Sequence, residues 1–151
     1  MKIKIQLQEG AFIPKKATEQ AAAYDVFIPE VCSVVPGRQI VPLRFALELP
    51  DGFEAKVEPR SGFSSKGMED SQGFRRDADV ITGKVDADYR GCVGVIINSH
   101  EKEPFCLASG TRIAQLTIYR VEKADFEPSE TLSQTKRGNG GFGHSGSGNT
   151  I

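Results

Sequence analysis

The chain has 151 residues, the length of one ordinary domain, and can bury about two-thirds of its unfolded surface without covalent staples. Its 19 Lys and Arg nearly balance 20 Asp and Glu, for a net charge of -1. That balance argues against a nucleic-acid binder working by phosphate neutralisation, while leaving room for a local basic pocket. Three cysteines, Cys32, Cys92 and Cys106, form no C-x-x-C pair and no cluster with histidine suited to zinc. They read as small, partly buried thiols of a reducing compartment.

At the amino terminus Ile3, Ile5 and Leu7 alternate with Lys2, Lys4 and Gln6, the period of two expected for a strand. The charges break every apolar run, which excludes a signal peptide, and no stretch of the chain approaches the ~20 apolar residues of a membrane span. The sequence therefore predicts a soluble, cytoplasmic protein with no membrane contact. Residues 23–28 form a second short run closed by Pro29. Residues 39–49 read as a longer apolar strand ended by Pro50-Asp51-Gly52. Phe53, Ala55 and Val57 alternate with Glu54, Lys56 and Glu58 and read as its hairpin partner. Residues 61–66 have room for a turn or two of helix. Residues 67–82 carry Glu69, Asp70, Arg75, Arg76, Asp77 and Asp79 with little apolar pattern, the signature of an exposed loop or hairpin. Strands are expected at 93–98 and 113–121, with a polar turn at 99–104 between them. From Glu127 the chain turns polar and glycine-rich, too poor in apolar residues to order itself. Short strands at this spacing predict an all-β fold, a β-sandwich, barrel or jelly roll, over 1–126, with a flexible arm over 127–151.

Five constellations carry polar chemistry, and each has a plain alternative. The segment from Lys136 to Gly146 reads first as a solvated tail. Its glycine N–H groups can also wrap phosphate oxygens, with Arg137 pairing to them and Phe142 offering a face to a base. The P-loop pattern is absent. Pro59-Arg60-Ser61-Gly62 is either a turn with an exposed arginine or a guanidinium, a hydroxyl and a glycine N–H facing one phosphate. The segment from Gly83 to Gly91 is either an acidic turn or the seat of a general base at Asp86, with Tyr89 nearby. Aspartate side chains are ionised at neutral pH and need only placement to accept a proton from water, help worth roughly 10²–10⁴ in rate. In Gly110 to Leu116, a buried strand by pattern, Gln115 is an edge residue or a polar group aimed at a ligand. Asp25 enters a strand, an ordinary position for an acid.

Taken in order, Tyr24-Asp25, Arg60-Ser61-Gly62, Asp86-x-Asp88-Tyr89-Arg90-Gly91, Arg112-Ile113-Ala114-Gln115-Leu116 and Arg137-Gly-Asn-Gly-Gly-Phe142-Gly143 resemble the five motifs of the trimeric dUTPase family. The resemblance runs from Tyr24 to Gly146. It implies a jelly-roll-like protomer and a homotrimer whose three active sites lie at subunit junctions. It implies Mg²⁺-assisted, in-line attack of water on dUTP, giving dUMP and pyrophosphate, which would keep uracil out of DNA and supply dUMP for thymidylate synthesis. By matching position, Asp86 resembles the base for the attacking water. Tyr89 resembles the platform under deoxyribose that leaves no room for a 2′-hydroxyl. Gly83, Lys84 and Val85 resemble the backbone hairpin that bonds uracil. Arg60, Ser61, Gly62 and Gln115 resemble phosphate contacts given by a neighbouring subunit, and Arg137, Phe142 and Gly143 resemble the closing arm. Asp25 is similar to the acid that orders water around Mg²⁺.

The chain departs from the family pattern in several places. Ala23 stands where glycine is usual, Cys92 where glutamate is common, and His144 where serine is common. The segment between Gly67 and Gly83 is longer than usual, and Val80 occupies the place of an asparagine that often assists uracil recognition. Backbone reading of uracil is therefore expected, and the long charged segment 67–82 is a candidate site for a protein partner. Two other readings compete: a dCTP deaminase-like fold-mate, and a binding protein that keeps the nucleotide site as a sensor. A zinc-dependent deaminase is excluded, because H-x-E with P-C-x-x-C is absent.

Overall fold

Short strands make up nearly all the regular structure of the computed structural model, which describes residues 1–141. The alternating amino-terminal run forms β1 (Lys4–Leu7), and the run closed by Pro29 forms β2 (Tyr24–Phe27). A short strand unmarked by the sequence pattern, β3 (Cys32–Val34), follows. The apolar stretch expected as one strand over 39–49 is two, β4 (Gly37–Pro42) and β5 (Phe45–Glu48). Arg44 separates them with φ 59°, a left-handed conformation that side chains with a Cβ seldom adopt. Its guanidinium holds the kink by donating to the Glu9 carbonyl at 3.3 Å and pairing with Glu30.

Beyond the turn at 50–52 come β6 (Phe53–Glu58) and the short helix α1 (Ser61–Lys66), where a helical turn was expected. The small strands β7 (Met68–Glu69) and β8 (Arg75–Arg76) lead into β9 (Ala78–Ile81) and β10 (Gly83–Val85). β11 (Gly94–Ser99), β12 (Phe105–Leu107) and β13 (Arg112–Arg120) complete the chain's regular structure.

Four antiparallel strands in the order β10-β6-β13-β2 form one sheet, and β4-β11-β9 form a second. The expected hairpin between β5 and β6 is not made. β6 is a central strand whose two edges are taken by β10 and β13, so β5 pairs with β1 instead. Ala55, Val57 and Leu116 from the larger sheet meet Val41, Val80, Val95 and Ile97 from the smaller one in a single buried apolar cluster. The architecture is all-β, as the run of short strands predicts, and jelly-roll-like, as the family resemblance implies. Among the described residues the strands do not close into a barrel. No described helix is long and apolar enough to cross a membrane. Cys32 and Cys92 are partly buried, whereas Cys106 points outward and is exposed. Burial and the neighbouring Cys106 push the Cys32 thiol up, away from the thiolate form that would make it reactive.

The segment 67–82 is more structured than its charges suggest. It is a hairpin, as one of the two expectations had it, but it is anchored in the core by Met68, Ala78 and Val80. Gly67 starts it with φ 76°, and a Cβ there would lie 2.6 Å from the Arg76 carbonyl oxygen. Asp70 is buried at its centre. One carboxylate oxygen accepts from the N–H groups of Gln72 (2.8 Å) and Phe74 (2.9 Å), and the other from Arg76 Nε (2.7 Å). Sequence pattern missed this because the inward positions alternate with charges, and one inward residue is itself an acid whose partners come from its own turn.

Burial alone would push the Asp70 carboxyl up, but the bonds from Phe74, Arg76 and Gln72 outweigh it and hold the group below the usual carboxylate range. A depressed carboxylate stabilises the fold fully above its unfolded value of about 4, and that contribution fades as pH falls through the lower folded value. Asp70→Asn is therefore expected to melt several degrees below the parent chain at pH 7. Thermal melts at pH 3 should show a smaller gap; a gap that stays constant with pH would exclude this role.

Candidate active site

The first cluster is built by an irregularity in β13. Between Arg112 and Ala114 the pairing with β2 slips by one residue, and Ile113 and Ala114 are both buried. Strand residues three apart normally face opposite sides. The bulge instead puts Arg112, opposite Phe27, on the same face as Gln115, opposite Asp25. Asp25 is held from both sides, because its backbone also pairs with Lys15 (N–H to O 2.7 and 3.1 Å). Its carboxylate, nearly buried, lies 3.3 Å from Arg60 Nε and 3.5 Å from an Arg112 guanidinium nitrogen. Arg60 also donates to the Arg112 carbonyl at 3.0 Å and packs over the Phe63 ring at 5.4 Å. Gln115 Nε2 donates to the Pro59 carbonyl at 3.0 Å, which ties β13 to the segment carrying Arg60.

Ser61 and Gly62 open α1 beside this cluster and are exposed. The fold does not require glycine at 62: its φ is not positive, and nothing lies within 4 Å of where a Cβ would stand. Glycine inside a helix costs about 0.5–1 kcal/mol relative to alanine. A bare backbone at that point is a surface that something else can approach closely.

The second cluster lies at the other end of β6. β10 pairs with β6 so that Gly83 faces Val57 and Val85 faces Ala55, and it is the edge strand of its sheet. Half of its backbone donors and acceptors are therefore without a strand partner among the described residues. Asp86 follows directly, exposed, with no ion-pair partner among the described residues. It shares a shallow hollow with Glu54, Lys84 and Lys123. The Lys84–Glu54 hydrogen bond holds Glu54 below the usual carboxylate range and Lys84 above the usual lysine range. Tyr89 N–H donates to the Asp86 carbonyl at 3.1 Å, closing a turn that Arg90 braces through the Ala87 and Tyr89 carbonyls (2.6 and 3.0 Å). The Tyr89 ring is half exposed and its hydroxyl donates to the Cys92 carbonyl at 3.1 Å. That side chain lies directly on Gly91, where a Cβ would come within 2.3 Å of the hydroxyl and 2.5 Å of the ring.

The structure thus brings Asp25, Arg60 and Gln115 together, with Ser61 and Gly62 alongside. It brings Gly83, Lys84, Val85, Asp86 and Tyr89 together elsewhere. It does not join the two groups. From Glu54 to Glu58 the chain runs along β6 for four steps, roughly 13 Å at ~3.3 Å each, and Arg60 lies two residues further on. The described part of the arm, up to residue 141, joins neither. Past Lys123, whose ammonium reaches Asp51 at 3.4 Å, the described hydrogen bonds are local: Arg137 Nε donates to Gly140, in a turn that also includes Thr135 and Gly138. Phe126 and Leu132 stand 97% and 88% exposed, uncovered by the other described residues. Phe142, Gly143 and His144 lie outside the described residues. Val80 is buried on β9 opposite Ile97, so position 80 offers no side chain to a base. Arg112, the first residue of the fourth motif, is part of the first cluster. Its signal was beyond reach of periodicity, because it depends on the bulge.

A family model described as dUTPase matches residues 9–146, and the chain belongs to the dUTPase family, the dUTP diphosphatases. Among solved structures it is similar to the dUTPase of Staphylococcus bacteriophage 80alpha, a point mutant with dUpNHpp. That match is 26% identical, has a TM-score of 0.82, and covers 96% of this chain and 98% of that one. Another 80alpha structure with dUPNHPP, also 26% identical with a TM-score of 0.82 over 96% and 98% of the two chains, is described as controlling transfer of virulence genes by a proto-oncogenic G protein-like mechanism. A mutant of the phage phi11 dUTPase of S. aureus, described as coordinating a structural Mg(II) ion, shares the fold. It has a TM-score of 0.75 and 22% identity over 87% of this chain and 99% of that one.

Gly91→Ala is expected to displace the Tyr89 ring and lose its bond to Cys92, at about 1–3 kcal/mol of stability through overpacking. Near-ultraviolet circular dichroism reports tyrosine environments directly. An unchanged spectrum together with unchanged melting would rule out the close contact.

Proposed function

We propose that this chain hydrolyses dUTP to dUMP and pyrophosphate at sites shared between the protomers of a homotrimer. The observation carrying the shared site is the placement of Asp86 and Arg60 beyond opposite ends of the β10–β6 pairing. A neighbouring copy that presents its Arg60, Ser61, Gly62 and Gln115 to this chain's Asp86 and Tyr89 resolves the distance. The uncovered Phe126 and Leu132 support an arm, residues 127–151, that reaches onto another protomer and carries Arg137, Phe142 and Gly143 over the nucleotide.

In this reading the free edge of β10, at Gly83, Lys84 and Val85, bonds uracil through its backbone. Cytosine is refused because its amino group puts a donor where an acceptor is needed. The Tyr89 ring carries the deoxyribose, braced from below by Gly91. Asp86 aligns a water in line with the α-phosphorus and takes its proton as the new O–P bond forms. The bond to the bridging oxygen breaks, and pyrophosphate leaves with the electron pair into the Arg60 cluster.

A divalent cation fits this site as a companion of the triphosphate. Among the described residues no group of three or more Asp, Glu, His or Cys is placed to cage one. Mg²⁺ ordinarily binds through substrate phosphates and waters with one or two carboxylates. Bound there, it would neutralise phosphate charge, and Asp25, with lone pairs left beyond its two guanidinium contacts, would hold one of its waters. At the tip of the hairpin, exposed Phe74 supports segment 67–82 as a protein contact surface, in keeping with the G protein-like mechanism described for the 80alpha enzyme.

Pyrophosphate release compared across dUTP, dTTP, dCTP and UTP, with and without Mg²⁺, tests the reading. Turnover confined to dUTP is expected, and ammonia release from dCTP would turn it toward a deaminase. Asp86→Asn should lower kcat by roughly 10²–10⁴ while a non-hydrolysable dUTP analogue still binds; retained hydrolysis would remove Asp86 from the base role. Gly62→Ala should leave the protein as stable or about 0.5–1 kcal/mol more so. The same change should cut kcat/KM roughly 10²-fold by holding phosphate off the backbone. An active, stable monomer in sedimentation would overturn the shared site.

A further inference from the structure

The Glu54 side chain is only 11% exposed, although it sits on the face of β6 turned away from the core. Burying a carboxylate costs free energy unless cations meet it, and two do. Lys84 pairs with one oxygen and Lys56 lies 3.5 Å from the other. The two lysines stand opposite each other across β10 and β6, a like-charge pair that repels without a carboxylate beside it. They are not equally free. Lys56 lies over the Tyr119 ring, 4.4 Å from its centre, and the Tyr119 hydroxyl donates to Glu58 at 3.3 Å. Lys84 has no such second hold among the described residues, and its side chain is 56% exposed. Alternation along β10 puts Lys84 on the same face as Asp86, two residues on, and both line one hollow with Glu54. The Glu54 hydrogen bond holds the Lys84 ammonium above the usual lysine range, and the Asp86 charge adds to that. Lys84 thus stands between two carboxylates and is taken by one of them. Lys123, the other cation of the hollow, reaches Asp51 at 3.4 Å.

We propose that Glu54 is a positioning residue for the hydrolysis: it captures Lys84 and so keeps the Asp86 carboxylate open to the attacking water. An ammonium on Asp86 would occupy the oxygens that must orient that water and accept its proton. Lys56, anchored on Tyr119, cannot take over the vacant role. The inference rests on the dUTP-hydrolase reading, in which Asp86 is the base, and adds a residue outside the five motifs.

The test compares kcat and KM for dUTP in the full-length parent, Glu54→Gln and Glu54→Gln/Lys84→Met. Glutamine keeps the volume and an acceptor oxygen for Lys56 but gives up the charge that competes for Lys84. Glu54→Gln should lower kcat about two- to fivefold, the occupancy an exposed ion pair reaches. KM should stay or fall, since a negative charge has been removed beside an anionic substrate. Removing the Lys84 ammonium as well should restore most of the lost kcat. A second readout needs no turnover: the pH titration of the Lys84 side chain by NMR. In Glu54→Gln that lysine should stay above its ordinary range, now on Asp86, and return to it only in Glu54→Gln/Asp86→Asn. An ordinary Lys84 in Glu54→Gln would overturn the proposal, as would a lower melting temperature with kcat unchanged. So would a loss of kcat that Lys84→Met does not relieve. If the parent chain leaves dUTP intact, the hydrolase reading falls, while the lysine titration still decides whether Glu54 keeps Lys84 from Asp86.

Discussion

One carboxylate between two guanidiniums organises one end of the larger sheet. Arg60 and Arg112 reach the same aspartate, and unscreened like charges at such range repel by about 1–4 kcal/mol, depending on the local dielectric. Asp25 offsets that repulsion before any anion arrives. Much of the surrounding backbone serves to keep it there. The Lys15 bridge fixes β2, the slip in β13 turns Arg112 onto its face, and Gln115 fastens the Pro59 carbonyl so that Arg60 leaves β6 in the right direction. In the proposed function, a ligand phosphate would meet a charge pattern already assembled, with little reorganisation left to the moment of binding.

The other end of the same sheet follows the opposite rule. Around Asp86 the contacts are short-range: a turn closed by Tyr89, braces from Arg90, and a ring lying on Gly91. Here the sequence order itself fixes the geometry, and the Lys84–Glu54 pair leaves Asp86 as an exposed carboxylate free of a cationic partner among the described residues. β6 connects the two ends and also keeps them apart.

This difference explains how much could be read from sequence. Period-two alternation located β1 and β6, since it depends only on which face of a pleat is buried, and apolar runs located β2, β4 with β5, β11 and β13. The Asp86–Tyr89–Gly91 spacing was legible because its geometry is local. Strand partners were not, because pairing depends on which edges are already occupied, as with β5 and β6. The split at Arg44 was hidden by a residue that rarely takes a left-handed φ, and the role of Arg112 by a one-residue slip. Segment 67–82 misled for a related reason: a buried aspartate satisfied by its own turn looks like any surface acid. The motif order gave the family, and the family match over 9–146 agrees with it. Where each motif sits relative to the others needed the register.

The kink at Arg44 also bears on the chain before it folds. Without it, the run from Ile40 to Leu49 would be one long, flat, strongly β-forming ribbon, the kind of segment that joins its neighbours into insoluble stacks when exposed. Pro42 removes a ladder donor, and a charged, left-handed residue two places on bends the ribbon out of register. The same residue that sends β5 to a different sheet in the finished protein thus also breaks the chain's longest strand-forming stretch.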